Sequence, residues 1–441
     1  MKLTATVQLV LWLISIPVFL VLLVVLYYQF DEDLRPEVVD ILNYQPEKIP
    51  ANENGHYALL GLFADKDADP HEKGLLIAIE VEKQYDSFDE PGTVSIADIE
   101  GVEVIKLNLD ETSLCGSEPD CLVDILNRKA FYREVLQKNE LLISRLRDLY
   151  TYKYFQESPA VIFVPNLKTA HRLLLADIVL KWINGEHQAA ALSLRDDLDF
   201  WRHVSSSDIS LITRVVAGSI IENDLRVLSE FISDCSNCIN EELIEKQLLR
   251  PITSLEMDMT RVFGFEYRVT YHNVLMDIEQ GKKESLGQAI LSRLFYKKNS
   301  VFNKLYVIYE QAITLSKCEL DNYINCYDAY QNDPRKDIDI LSIEFLKDPV
   351  GEVIFHIAVP TYHTYVWKSF RRELLRRLVY AKFLLYKNNV SENDIQDYLN
   401  ELSENLMNPV MHQAIEWDSE NRRLRMTLPQ NMQVKPVSID Y

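Results

Sequence analysis

The chain predicts a mainly α-helical fold with minor β structure, and three observations carry that expectation. Glycine is scarce, 12 in 441 residues, which disfavours a sheet-rich fold full of tight turns. Apolar residues recur at spacings of three and four through much of the chain beyond Cys121. Hydrophobic residues make up 47% of the sequence and aromatics 10%, enough apolar surface for substantial cores.

The first element is set by Leu3 to Phe30, which carries no charge and is followed at once by Asp31, Glu32 and Asp33. At a 1.5 Å rise, about 20 apolar residues span a ~30 Å hydrocarbon core, so residues 1–30 are expected to form a transmembrane anchor. Lys2 precedes the run and carboxylates follow it, so the expected topology is single-pass: a short cytoplasmic start and an extracytoplasmic body. Leu26-Tyr27-Tyr28-Gln29-Phe30 offers no small-x-small cleavage site, which favours retention over removal. The lipid bilayer is therefore the first expected partner.

Residues 31–120 hold 23 Asp/Glu against 6 Lys/Arg, a net −17 out of −21 for the whole chain. This acidic, membrane-proximal module repels nucleic acid, which is excluded as its partner. Within it, Val38, Val39, Ile41 and Leu42 form one amphipathic turn, and Asn54 to Phe63 is helical in character. Asp69-Pro70-His71-Glu72 has the grammar of a helix start: a capping carboxylate, proline at the first position and glutamate at the third. Val102 to Leu109 alternates as a strand does.

Residues 121–390 read as a helical body. A long amphipathic helix is expected from Cys121 to about Phe155, followed by a helix that ends at Asn184-Gly185 and another that begins at once, helical segments at 209–221 and 225–232, and helices around 241–249, 253–278, 286–295, 301–315 and 365–386, with Pro251, Gly281, Pro334 and Pro360 as punctuation. Residues 391–441 supply a helix to about Leu406, a hairpin from Ala414–Trp417 and Leu424–Leu428, and a loose tail.

The six cysteines fall in local pairs, Cys115 with Cys121, Cys235 with Cys238 and Cys318 with Cys326, which fits disulfides in an oxidising compartment. Cys235-Ser236-Asn237-Cys238 has redox-dithiol spacing, but no strand-turn-helix pattern surrounds it, so a structural staple is expected.

Leu173-Leu174-Leu175-Ala176, Gly185 and Ala189-Ala190 resemble one tetratricopeptide-type helix pair, with small residues at the crossing. The next segment does not repeat them at a period near 34, so a helical-hairpin array is expected rather than that repeat family. As a whole the chain is similar to single-pass membrane-anchored proteins of bacterial envelopes. That resemblance implies an inner-membrane, periplasmic placement and brings no activity with it.

Catalytic motifs are missing. There is no HExxH, GxSxG or GxGxxG, and Gly281-Lys282-Lys283-Glu284-Ser285 lacks the features of a phosphate-cradling loop. Asp65, Asp67 and Asp69 begin like a calcium loop, but Pro70 replaces the turn glycine and Leu76 the bidentate glutamate. Asp199 and His203, at i and i+4, share a helix face that could hold a metal or move a proton, without a third ligand at motif spacing. Asp196, Asp197, Arg195 and Arg202 around them read as a solvated ion-paired face, and His356 and His363 as packing residues. Lys368, Arg371, Arg372, Arg376 and Arg377, with Lys382 and Lys387, concentrate positive charge on one helix and are expected to dock the acidic module or an anionic partner. No cofactor is implied. The expected function is an anchored interaction or scaffold protein with protein partners in the envelope, and the alternative is an envelope hydrolase whose site assembles only in the fold.

Overall fold

The computed structural model describes residues 12–13, 15–16, 18–19, 30–86, 114, 120–158, 164, 166–284, 297–332, 362–402, 406–429, 432 and 435–441. It is mainly helical, with a small antiparallel sheet of three strands near the C-terminus. The helices of six or more residues are α1 (Pro36–Asn43), α2 (Gly55–Leu60), α3 (Pro70–Asp86), α4 (Cys121–Asn127), α5 (Lys129–Lys138), α6 (Glu140–Asp148), α7 (Leu167–Ile183), α8 (His187–Ser205), α9 (Leu211–Cys235), α10 (Thr260–Glu284), α11 (Lys298–Ser316), α12 (Tyr323–Gln331), α13 (Tyr362–Lys387) and α14 (Ile395–Asn400). The strands are β1 (Glu416–Asp418), β2 (Arg423–Met426) and β3 (Val437–Asp440).

The expected membrane anchor is corrected. Among the described residues no helix is long and apolar enough to cross a membrane. This overturns the single-pass topology, the lipid bilayer as a partner and the inner-membrane, periplasmic placement. The sequence criterion counts uncharged residues, whereas a span also requires helical backbone over about 20 of them. Of Leu3 to Phe30, only Trp12, Leu13, Ser15, Ile16, Val18, Phe19 and Phe30 lie within the described residues. The expected strand at 102–109, the apolar stretch at 160–163 and the helix at 286–295 lie outside them.

The chain divides into two compact units. The smaller comprises Met1–Gln45, Thr270–Gln311 and Asn332–Tyr362. In it the acidic residues after position 30 cap a helix: Asn299 and Ser300 at the start of α11 donate their backbone N–H groups to the Asp31 carboxylate, at 2.7 and 3.2 Å. A carboxylate is favoured there because the first-turn N–H groups have no intrahelical partner and the helix dipole is positive at that end. Asn303 adds a side-chain bond to the Asp33 carbonyl at 2.9 Å and accepts from Arg35 N at 2.9 Å.

The larger unit comprises Pro46–Val269, Ala312–Gln331 and His363–Tyr441. Its centre is α7, buried on nearly every side: Leu173, Leu174, Leu175, Ala176, Ile178 and Val179 are all shielded from solvent. A helix apolar all round belongs in a core, so α7 packs with α8 and α9 rather than lying on the surface. Gly185 closes it with φ +87°, a conformation glycine adopts without strain. Ala190 and Ala191 keep the start of α8 close, and Trp182 stacks on Phe231 of α9 at 4.1 Å.

Several expected elements form at or near the predicted places. Asp69 caps α3 by accepting the Glu72 N–H at 2.9 Å. The glycines Gly61 and Gly74 let α2 and α3 touch backbone to backbone: a Cβ on Gly74 would lie 1.6 Å from the Tyr57 carbonyl oxygen. The long helix expected from Cys121 to Phe155 is instead α4, α5 and α6, broken at Arg128 and Asn139. At the second break the Asn139 side chain bonds the Val135 carbonyl at 2.8 Å, offering the backbone an alternative to continued helix. The tail expected to be loose forms β3, which pairs with β2 from Arg423 opposite Asp440 to Met426 opposite Val437. Val437 and Ile439 alternate into the core, and that burial holds it.

The structure contains the disulfides Cys235–Cys238 and Cys318–Cys326. Cys121 is disulfide-bonded too, while Cys115 lies outside the described residues.

Candidate functional site

The larger unit contains two charge constellations of different character. The first joins the second turn of α7 to the middle of α8 and α9. His171, Asp197 and Asp224 are the one group of three His, Cys, Asp or Glu residues among the described residues whose ligand atoms all lie within 4.8 Å of one another. All three side chains are completely buried.

Asp197 is saturated. It accepts from His171 Nε2 at 2.6 Å, from the Tyr150 hydroxyl at 2.7 Å and from Trp201 Nε1 at 3.0 Å. Three donors therefore converge on this one carboxylate. Asp224 lies 3.3 Å from His171 Nε2, and its oxygens accept no well-formed hydrogen bond. Burial on its own would push the His171 pKa down, but the charges of Asp197 and Asp224 outweigh it and raise the imidazole to about 10. Burial, with the Asp197 charge added, lifts the Asp224 carboxyl to about 7 against the pull of His171. The chemistry follows from electroneutrality: one imidazolium balances one carboxylate, and the second carboxyl keeps its proton in a medium that penalises uncompensated charge. The same three residues each offer a ligand atom of the kind that suits a divalent metal.

The second constellation is a cleft of about 170 Å³ whose wall includes Arg214, Gly218 and Glu222 of α9, Lys168 of α7 and Lys368 and Arg372 of α13. Arg371 lines it as well, ion-paired to Glu222 at 2.5 Å. A neighbouring hollow shares Lys368 and Arg371 and adds Arg226, Arg423 and Lys435.

The sequence-predicted residues distribute as follows. Asp199 is exposed and ion-paired with Arg250 at 3.5 Å, and neither it nor His203 joins a third ligand among the described residues. Asp65, Asp67 and Asp69 do not gather round a cation site either. Instead the carbonyls of Leu62, Ala64, Asp65 and Ala68 all accept from the buried guanidinium of Arg145, so their turn wraps an arginine. On α13, Arg376 and Arg377 both grip Glu373, with Arg376 making two bonds of 2.7 Å. Lys382 donates to the Asp440 carbonyl at 2.6 Å and Lys387 pairs with Glu241 and Glu245. These hydrogen-bond and ion-pair partners belong to the helical body and the C-terminal strand, and of the described residues in the expected acidic module, 31–120, Asp120 acts on Lys382 through its charge. His363 packs beside Tyr327 and Tyr330, and His356 lies outside the described residues.

Sequence reasoning missed Asp197, placed on a solvated face, and passed over His171 and Asp224. A signal was present. Asp197 falls in the stripe Leu194, Leu198, Trp201, and Asp224 in the stripe Ala217, Ile220, Ile221, Leu225, Leu228, so each is a charge at a core position. His171 stands likewise between Ala170 and Leu174. Compared with known proteins, the chain matches no family model, no curated protein and no solved structure.

Proposed function

We propose that this chain is a non-enzymatic interaction protein, a helical scaffold that engages partners through its surface. The observation that carries the reading is the sealing of the His171–Asp197–Asp224 cluster: a general acid or base must come within hydrogen-bond reach of substrate, and these groups have no exposed surface. Asp199 and His203, the candidates for a hydrolase, gather no third catalytic group among the described residues. The open, recessed surface is instead lined by ammonium and guanidinium groups, which suit binding.

Two measurements on the full chain test this. Chromogenic ester, phosphoester, glycoside and peptide substrates should turn over no faster than in buffer; turnover abolished by Asp199→Asn or His203→Gln would overturn the reading in favour of a hydrolase. Cross-linking in the native host should trap a discrete assembly, and a chain that stays monomeric under all conditions would count against a scaffold.

A further inference from the structure

We propose that the cleft between α9 and α13 is a binding site for a dianionic oxyanion of the phosphate class, held between the guanidinium groups of Arg214 and Arg372 with Lys168 and Lys368 at its rim. The inference goes beyond the scaffold reading and stands or falls separately from it.

The cleft holds five cations, Lys168, Arg214, Lys368, Arg371 and Arg372, against the single carboxylate of Glu222. That carboxylate is already taken by Arg371. Such an excess is notable in a chain of net charge −21, where carboxylates are plentiful and most other core arginines have found partners. Arg202 holds Glu256 through Nε and Nη2 at 2.5 and 3.0 Å, Arg376 holds Glu373, and Arg145 holds four carbonyls.

Arg214 and Arg372 differ. Arg214 donates Nη2 to the Glu256 carbonyl, and Arg372 donates Nη2 to Ser369 Oγ at 3.0 Å. Beyond those bonds, Nε and Nη1 of Arg214 and Nε of Arg372 are buried with no protein acceptor. Both side chains are nine-tenths or more shielded. A buried donor left unmade costs its full desolvation, and a buried cation beside another cation adds repulsion. Burial first, and then the Arg372 charge, push the Arg214 guanidinium well below its ordinary range, against the opposing pull of the Glu256 and Asp258 carboxylates. A dianion with several acceptor oxygens answers both defects, because it accepts from forked N–H groups and neutralises two positive charges.

Space is available. The cleft's 170 Å³ far exceeds the roughly 10–15 Å³ that one water needs on the same measure, which leaves room for a tetrahedral oxyanion. Gly218 helps keep it, since a Cβ there would sit 3.4 Å from Arg372 Nη1, and a longer side chain would press on the guanidinium. Lys168 and Lys368 are exposed at the rim, placed to attract an anion before the arginines receive it.

The test uses the full chain in phosphate-free buffer at fixed ionic strength, with calorimetric titration by inorganic phosphate and, in a second arm, phenyl phosphate. Saturable binding is expected, with sodium chloride of equal ionic strength giving none. Arg214→Gln should weaken it by about tenfold or more, as loss of a charge-assisted donor pair does. Because a buried substitution can disturb the fold, the double variant Lys168→Gln, Lys368→Gln is the second arm: both residues are exposed, so phosphate-free melting should stay unchanged while affinity falls. Binding of phenyl phosphate but not of the inorganic ion would assign the site to a phosphate ester. No saturable response to either, or equal affinity in both variants, would overturn the proposal.

Discussion

The His171–Asp197–Asp224 cluster and the Arg214–Arg372 cleft are both concentrations of buried charge supported by α9, yet they balance in opposite ways. In the cluster the protein supplies both signs of charge: His171 lies between two carboxyls, Asp197 receives three donors and Asp224 is raised to about 7, while His171 Nδ1 and both Asp224 oxygens make no hydrogen bond. In the cleft the positive charge exceeds what the protein supplies, and three N–H donors have no protein acceptor. Both sites are buried, and they differ in whether the protein supplies the opposite charge. A closed cluster holds helices together, and an open one is completed from outside.

The largest way to break this comparison is to open the closed cluster. His171→Leu leaves two carboxylates facing each other in a sealed core, and removing one partner of a buried charged group costs about 3–5 kcal/mol. Arg214→Met in phosphate-free buffer should change stability by no more than about 1 kcal/mol, because a poorly compensated buried charge is replaced by an apolar chain of similar size. Chemical denaturation of the two variants side by side checks it, and equal losses would erase the distinction between the sites.

A smaller effect sharpens the charge accounting. Asp224 is raised in the folded state from its ordinary 3.8 to about 7, so the stability it contributes is whole below pH 3.8 and is lost as pH rises through about 7. His171 is raised from 6.5 to about 10, so its contribution is whole below pH 6.5 and drains as pH climbs through about 10. Melting curves should therefore fall between about pH 4 and 7 in the wild type. Asp224→Asn, which mimics the protonated carboxyl, should flatten that interval and leave the decline at higher pH. An Asn variant with the wild-type slope would place the titration elsewhere.

Much of the architecture was legible in the chain because periodicity and capping are local. Asp69 before Pro70, Gly185 after α7 and the hairpin of β1 and β2 all express rules that act within a few residues. What escaped depends on distant partners. The breaks at Arg128 and Asn139 lie inside a continuous apolar period, and β3 exists through pairing with β2 rather than by propensity. The uncharged run at Leu3 to Phe30 shows the limit most plainly, since composition over 28 residues led to an anchor that the described helices do not support. The candidate site was half legible. Lys368, Arg371 and Arg372 stood out as a basic concentration, but Arg214, Gly218 and Lys168 come from other helices and no spacing rule links them. Asp197 and Asp224 were visible as charges at core positions, a pattern masked by the exposed Asp196 and Asp199 beside the first.

The central claim is that a protonated His171 closes the buried cluster, and nitrogen-15 correlation spectra of the imidazole rings measure that proton directly, with His171→Gln assigning the signal. The account predicts that both ring nitrogens carry protons at pH 8, with loss of one only toward pH 10. A His171 ring that is already neutral at pH 8, or one that titrates near 6.5 like an exposed histidine, would contradict it.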